Sequence, residues 1–230
     1  MADAIELLDA IAARDVAQVE RLLAVDPSLA AARGEDAISA VLLARYHSDF
    51  RILELLLQAG PPLDIFESAA IGELGPLIEA TAADHPAVDS FSADGYTPLH
   101  LAAFFGNDDC AQYLLEQDAA VDAVSRNDMA LQPLHSAAAG GHVVVAGMLL
   151  QRGAEVDARQ HGGWTALHAA AQHGDTALCE LLLRYGADPG LRNEGGTVAA
   201  ELVPRDNAEL VELLLWAWLS SGRPGDRRDG

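Results

Sequence analysis

The stretch DGYTPLHLAAFFGN, residues 94–107, shows how the chain begins and ends a helix. Asp94-Gly95 is typical of a turn. Thr97 is a good N-cap, because its hydroxyl can accept a hydrogen bond from a free N–H group of the first helical turn. Proline at the next position costs nothing there, since its missing N–H would have had no helical partner. The stretch therefore predicts a turn and then a helix that ends at Gly106.

The same pattern recurs at regular spacing along the chain. TPLH at 97–100 returns as QPLH at 132–135 and as TALH at 165–168, so the histidines lie 35 and then 33 residues apart. A fainter copy begins at Thr197. After each full copy come a glycine and a leucine-rich segment, which predicts a second helix behind the first. A helix pair of this kind cannot bury its apolar face alone, so the units are expected to stack.

This order of signature, glycine, double leucine and aspartate turn resembles the ankyrin repeat. The resemblance implies an all-α fold, a solenoid of stacked helix-turn-helix units with projecting β-hairpin loops. The clear match covers residues 94–219 and includes a C-terminal cap. Residues 36–93 are predicted to be degenerate ankyrin-like repeats, and residues 1–35 an N-terminal helical cap. About seven units are expected, followed by a disordered tail at 220–230 that has no apolar residue.

The charge is concentrated in the middle of the chain. The net charge is −21, and all fourteen basic residues are arginine. Residues 52–125 contain thirteen acidic residues and no basic residue. Such a field repels phosphate backbones and attracts cations. It disfavours direct nucleic-acid binding and favours a basic partner protein, although a solvated surface that keeps the protein soluble explains it as well. The arginine bias, with abundant alanine and glycine, suggests a bacterial gene.

Several features predict a cytoplasmic protein. No run of 18 apolar residues exists, so no membrane association is expected. The acidic start lacks the basic and apolar regions of a signal peptide. Cys110 and Cys179 form no C-x-x-C motif, which fits a reducing compartment with both thiols free.

The histidines of the signature are candidate metal ligands, but their spacing argues against that role. His100, His135 and His168 occupy one equivalent position in successive units. Packed helices lie roughly 8–10 Å apart, whereas a zinc ligand lies about 2.0–2.1 Å from its metal. The resemblance implies instead that each histidine fixes its own turn. No nucleophile, phosphate-loop or dinucleotide motif is present, so we predict a non-catalytic protein with no metal and no cofactor.

The partner-binding surface is predicted from two phenylalanines. The resemblance implies that inner-helix ends and hairpin tips border a concave groove, and Phe104 and Phe105 lie at such an end. The predicted contact residues are Tyr46, His47, Tyr96, Phe104, Phe105, Met129, Trp164, Gln172 and His173. Aromatic side chains are common binding anchors. The chain is therefore expected to bind a basic partner protein, which it masks or scaffolds. The alternative is that one ring packs inward against Tyr96 or Phe91.

A second functional hypothesis comes from the C-terminal helix. Trp216 and Trp218 are two residues apart and cannot both face the core, although a terminal unit should present a polar face. The alternative to partner binding is therefore a self-associating structural protein that uses this helix. A monomer is expected under the first hypothesis and a dimer under the second.

Overall fold

The computed structural model describes residues 2–83 and 85–220. This part of the chain contains thirteen α-helices and four short 3-10 segments. The helices are α1 (Ala2–Ala12), α2 (Val16–Val25), α3 (Ala40–Tyr46), α4 (Phe50–Gln58), α5 (Ile65–Ile71), α6 (Leu74–Ala83), α7 (Pro98–Phe105), α8 (Asp108–Glu116), α9 (Pro133–Gly140), α10 (Val143–Gln151), α11 (Ala166–Gln172), α12 (Thr176–Arg184) and α13 (Ala208–Ser220). The 3-10 segments are Pro27–Ala31, His85–Asp89, His161–Gly163 and Ala199–Glu201.

These elements form seven stacked units within the described residues. Units 1 to 6 are the successive pairs from α1–α2 to α11–α12, and unit 7 pairs Ala199–Glu201 with α13. The first, inner helices contact one another in chain order from α1 to α11, and α11 contacts unit 7. Outer helices form a second layer, in which α8 contacts α6 and α10. The predicted all-α repeat solenoid is confirmed.

Local signals explain where the inner helices begin and end. The Thr97 hydroxyl accepts from the His100 N–H, as expected of an N-cap. Ser39 caps α3 in the same way, and Asp64 caps α5. Gly106 closes α7 with φ at 70°, a left-handed conformation that costs glycine little.

Five loops project from the ends of the units, and we call them fingers. They are residues 34–38, 92–96, 125–131, 160–164 and 193–197, and in each the first residue's N–H donates to the last residue's carbonyl. In the described part of the chain, the only bridges at these loops are isolated ones that flank the fingers 34–38 and 193–197, Arg33 with Ser39 and Arg192 with Val198. The predicted β-hairpin loops are therefore tight turns without an extended ladder.

Unit 3 is irregular in two ways. Only residues 59–64 separate α4 from α5, whereas residues 117–132 separate α8 from α9, so unit 3 has no finger. Its inner helix also ends one residue sooner after its N-cap: the left-handed Gly72 that closes α5 lies eight residues after Asp64, whereas Gly106 lies nine residues after Thr97. The buried core is divided near this unit, with one cluster formed by residues 7–56 and a larger one extending from Leu42 to Leu214.

The C-terminal end differs from expectation by one residue. Ser220 is the last residue of α13, so it belongs to the final helix and not to the predicted tail. The rest of that tail, residues 221–230, lies outside the described residues. No helix in the described part is both long enough and apolar enough to span a bilayer.

Candidate functional site

The signature histidine links each unit to the next. The Thr97 N–H lies 3.3 Å from His100 Nδ1 and can only donate, so Nδ1 accepts and the proton sits on Nε2. That proton is donated to the Leu131 carbonyl in the following finger at 2.9 Å. The same donation recurs from His135 to Ala158 and from His168 to Thr197.

Burial keeps this imidazole neutral. It lowers the pKa of His100 to about 4, because the charged form would lose its hydration inside the stack. Burial lowers the pKa of His135 and His168 as well. The three histidines thus serve the structural role predicted for them, and each also bonds to the neighbouring unit.

A groove of about 380 Å³ opens on the inner-helix side of units 2, 4 and 5. Its principal side chains are Ile38, Tyr46, Asp94, Tyr96, Phe104 and Leu131. The Phe104 ring is 42% exposed, which is high for a large apolar side chain. Phe104 therefore faces the groove, with Tyr46 and Tyr96 beside it.

Asp94 is held at the edge of this groove by two hydroxyl groups. The Tyr46 hydroxyl donates to Asp94 Oδ2 at 2.5 Å, and the Ser92 hydroxyl donates to Oδ1 at 2.5 Å. Burial raises the pKa of Tyr46, and the hydrogen bond to Asp94 raises it further, so the phenol stays protonated. The carboxylate keeps spare lone pairs with which it can accept from a cationic donor.

Phe105 packs within the protein. Its ring stacks on Tyr46 with centroids 5.9 Å apart and meets Phe104 edge-on at 5.0 Å. The Arg45 guanidinium lies 4.2 Å from its centroid. The expectation that one of the two rings packs internally is correct, but the partners are Tyr46 and Arg45 from unit 2 and not Tyr96 or Phe91.

The short inner helix of unit 3 explains this contact. Because α5 ends early, units 2 and 4 meet across it, and Phe105 fills the space. Two side chains from those units also satisfy carbonyls at the end of α5: Asn107 donates to Ala69 at 2.7 Å, and Arg45 donates to Ala70 at 2.9 Å. Carbonyls in the last turn of a helix lack partners within it, so these bonds join three units at one point.

The other predicted contact residues lie elsewhere. Met129 is exposed on a finger, and Trp164 packs on His168 at 5.8 Å. Gln172 and His173 are exposed at the end of α11. These four residues are not among those that line the groove.

His47 is half-buried at the end of α3, and its carbonyl accepts from Arg14 at 3.0 Å. It lies outside the groove lining as well. Assignment of all these residues to partner contact stays a prediction.

Sequence reasoning missed two apolar groove residues. Ile38 and Leu131 each immediately precede an N-cap, as Tyr96 does before Thr97. A register counted back from the caps would have found this column. This column was missed because the QPLH signature lacks the capping threonine and because the finger before it is two residues longer than the others.

Both thiols are unsuited to nucleophilic chemistry. Cys110 and Cys179 are free, as predicted, and both are buried. Burial, together with a smaller contribution from acidic neighbours, raises their pKa values to about 11 and about 12. Within residues 2–83 and 85–220, no group of three His, Cys, Asp or Glu side chains could hold a metal ion.

The C-terminal helix exposes apolar surface. Trp216 is 68% exposed, Trp218 45% and Leu219 80%. Beside them, a depression of about 560 Å³ lies between α12 and α13 and includes Leu183 and Leu213. The prediction that at least one tryptophan is exposed is confirmed.

Comparison with known proteins gives the family. The family model described as ankyrin repeats (3 copies) matches residues 7–160 and 124–193. Human SMC5-SMC6 complex localization factor protein 1 is 41% identical over 66 residues, which is 29% of this chain and 6% of that protein. Human transient receptor potential cation channel subfamily A member 1 is 38% identical over 81 residues, 35% of this chain and 7% of the channel.

Human ankyrin repeat and SOCS box protein 18 is 46% identical over 76 residues, which is 33% of this chain and 16% of that protein. The chain thus spans only a small part of the length of these relatives. What it shares with them is the repeat, a general protein–protein interaction module whose family is typically non-catalytic. With the stacked units, the repeated caps and the family match together, the chain belongs to the ankyrin-repeat family.

Proposed function

We propose that this chain is a non-catalytic binding module that holds a basic segment of another protein in the groove between Tyr46, Tyr96 and Phe104. The observation that supports this most directly is the exposed Phe104 ring beside the fixed Asp94 carboxylate. An apolar side chain of the partner can cover the ring, while a neighbouring arginine or lysine pairs with Asp94.

Charge around the groove favours a basic partner. None of the residues that line the groove is an arginine. Acidic residues are exposed at the neighbouring finger tips, Asp36 and Asp128, although Arg126 is exposed on the second of these fingers. A field from an excess of one charge speeds the approach of an oppositely charged partner. The same field disfavours direct nucleic-acid binding. Binding in the cytoplasm would mask or scaffold the partner, since the groove brings no catalytic group to it.

The experiment is affinity purification from the native cell with three baits: the wild-type chain, Phe104→Ala and the control Phe50→Ala. Phe50 is 67% exposed on the outer helix α4, so its loss removes a similar ring away from the groove. Quantitative mass spectrometry should find a partner that wild type and Phe50→Ala retain and that Phe104→Ala loses.

Measurements of Kd with the purified partner then give the size of the Phe104 contribution. A fully buried phenylalanine contributes about 1.5–3 kcal/mol, so covering a half-exposed ring predicts about a tenfold rise in Kd for Phe104→Ala. Raising NaCl from 50 to 500 mM should weaken binding, because charges across the interface are screened. A partner that binds all three baits equally would contradict the groove, and salt-independent binding would contradict the charge argument.

Self-association through α13 is the second candidate. Leu215 is 40% exposed and Trp216 68%, so a second copy could bury apolar surface there. Sedimentation velocity at several concentrations separates the two candidates. A mass that rises with concentration and returns to that of the monomer in Trp216→Ser would favour self-association, whereas a concentration-independent monomer would eliminate it.

A further inference from the structure

The fingers of units 4 to 7 form a continuous row joined by backbone hydrogen bonds. The Arg126 N–H donates to the Gly95 carbonyl at 2.8 Å, which joins the fingers 92–96 and 125–131. The next finger is joined by His161 donating to Met129 at 3.0 Å, and the last by Glu194 donating to Gly162 at 2.8 Å. In each case the donor is the second residue of its finger, and the acceptor lies in the finger before it.

This row is interrupted where unit 3 has no finger. The second residue of finger 92–96 is Ala93, and among the described residues its N–H has no acceptor. On the other side, the residue of finger 34–38 equivalent to Gly95 is Ala37, which has the same left-handed φ. The Ala37 carbonyl accepts only a long 3.4 Å contact from Arg33 within the described chain. The Ala93 N–H and the Ala37 carbonyl therefore both lack the finger of unit 3 that would pair with them in a continuous row.

A cleft of about 210 Å³ occupies the place of the missing finger. Ala37 and Ile38 line it from one finger, Ala93 and Asp94 from the other, and Phe66 belongs to α5 beneath. Small-molecule sites usually measure about 300–1,000 Å³, so this cleft suits a single apolar side chain better than a metabolite.

The charge around the cleft favours particular residues next to a side chain that enters it. Arg33 lines it but is already paired with Asp64 at 2.9 Å and with Glu67 at 3.1 Å. Asp94 adds a further carboxylate at the edge, and Asp36 is exposed on the adjoining finger. Acidic groups are therefore in excess, which favours a lysine or arginine next to the inserted side chain.

We propose that an extended segment of a partner protein takes the place of the missing finger. Its backbone carbonyl accepts from the Ala93 N–H, its N–H donates to the Ala37 carbonyl, and one apolar side chain of about leucine size enters over Phe66, with a basic residue beside it. As in strand addition at the edge of a sheet, backbone bonds to the two fingers give affinity and the pocket gives sequence preference. The cleft shares Ile38 and Asp94 with the Phe104 groove, but the two backbone bonds and the pocket over Phe66 do not involve Phe104.

The test uses twelve-residue random peptides displayed on phage and selected on the purified wild-type chain. Enriched peptides are synthesised and their Kd values measured against Ala93→Pro, Glu35→Pro and Phe104→Ala. Ala93 is the second residue of the turn closed by Gly95 N–H donating to Ser92, a position that favours proline. Ala93→Pro thus removes the invoked donor with its turn intact, and a thermal melt checks this. Glu35→Pro is the matched control at the same position of finger 34–38, on the edge facing unit 1.

The expected peptides carry one large aliphatic residue next to arginine or lysine. Ala93→Pro should raise their Kd about three- to tenfold, the equivalent of one net hydrogen bond, whereas Glu35→Pro and Phe104→Ala should stay within twofold. One readout needs no variant. When peptide binds to the wild-type chain, the NMR chemical shift of the Ala93 amide should change and its hydrogen exchange with solvent should slow. Enrichment of no peptide, or of peptides that are lost with Phe104→Ala and not with Ala93→Pro, would overturn the proposal. Peptides that are lost with Phe104→Ala but not with Ala93→Pro would support binding in the Phe104 groove alone.

Discussion

Gly140 is expected to be indispensable, although its helix would ordinarily favour alanine. It is the last residue of α9, and a Cβ placed on it would lie 2.3 Å from the Phe104 carbonyl oxygen and 2.4 Å from His142 Cδ2. Real Cβ contacts are essentially never shorter than 3.0 Å. Gly140→Ala therefore forces α7 and α9 apart by about 0.7 Å next to the groove residues Phe104 and Ala139.

The magnitude follows from two opposing effects. Replacing glycine by alanine in a helix gains up to about 1 kcal/mol, whereas overpacking a close contact costs about 1–3 kcal/mol. Because the Phe104 carbonyl belongs to the backbone and cannot rotate away, the cost should exceed the gain, and the free energy of unfolding should fall by about 1–2 kcal/mol. The matched control is Gly147→Ala in α10, whose Cβ would meet only Leu181 Cδ2 at 3.9 Å. There the free energy of unfolding should rise by about 0.5–1 kcal/mol.

Urea unfolding followed by far-ultraviolet circular dichroism measures both variants against wild type. Repeat proteins can unfold in more than one step, so tryptophan fluorescence should be recorded alongside to test whether the transitions coincide. The two variants should differ by about 2 kcal/mol or more. If Gly140→Ala proves as stable as Gly147→Ala, the close approach of α7 and α9 is wrong, and with it the shape assigned to the groove.

Three further outcomes are expected. The pKa of His100 is lowered from 6.5 to about 4, so the unfolded chain binds more protons between these pH values. About 3 kcal/mol of stability, complete above pH 6.5, is therefore lost as the pH falls towards 4. His100→Gln should reduce this dependence in urea titrations from pH 7 to pH 5, and the part due to His135 and His168 should remain. Gln132→Thr should raise the free energy of unfolding by about 1 kcal/mol, because Gln132 Oε1 is buried and has no hydrogen-bond partner among the described residues; an unchanged urea midpoint would contradict this. Cys110 and Cys179 should react with Ellman's reagent only on unfolding, since burial raises the pKa values of both thiols. Rapid labelling of the native chain would contradict the burial of these two side chains.

The repeat fold could be predicted because its signals are local. Thr97 at a cap and Gly106 after the helix act within a few residues, and their recurrence at regular spacing multiplies the evidence. The structural role of His100 followed from the resemblance to the ankyrin repeat, although its neutral state and its bond to the next finger were not foreseen.

The candidate site was predicted only in part. Tyr46, Tyr96 and Phe104 were identified from their positions in the repeat, and the structure brings them to one groove. Phe105 was assigned to the same surface, but it packs on Tyr46 because α5 is one residue short. That contact joins residues far apart in the chain, and no local pattern encodes it.

The sequence by itself determined the helices, their caps and the order in which the units stack, because each depends on neighbours within one or two turns. The tertiary structure alone decided how the irregular unit 3 changes the surface between its neighbours. The absence of a finger in unit 3 can be read from the six residues between α4 and α5. Only the packing of units 2 and 4 turns that absence into a cleft with the open backbone groups of Ala37 and Ala93 on its two sides.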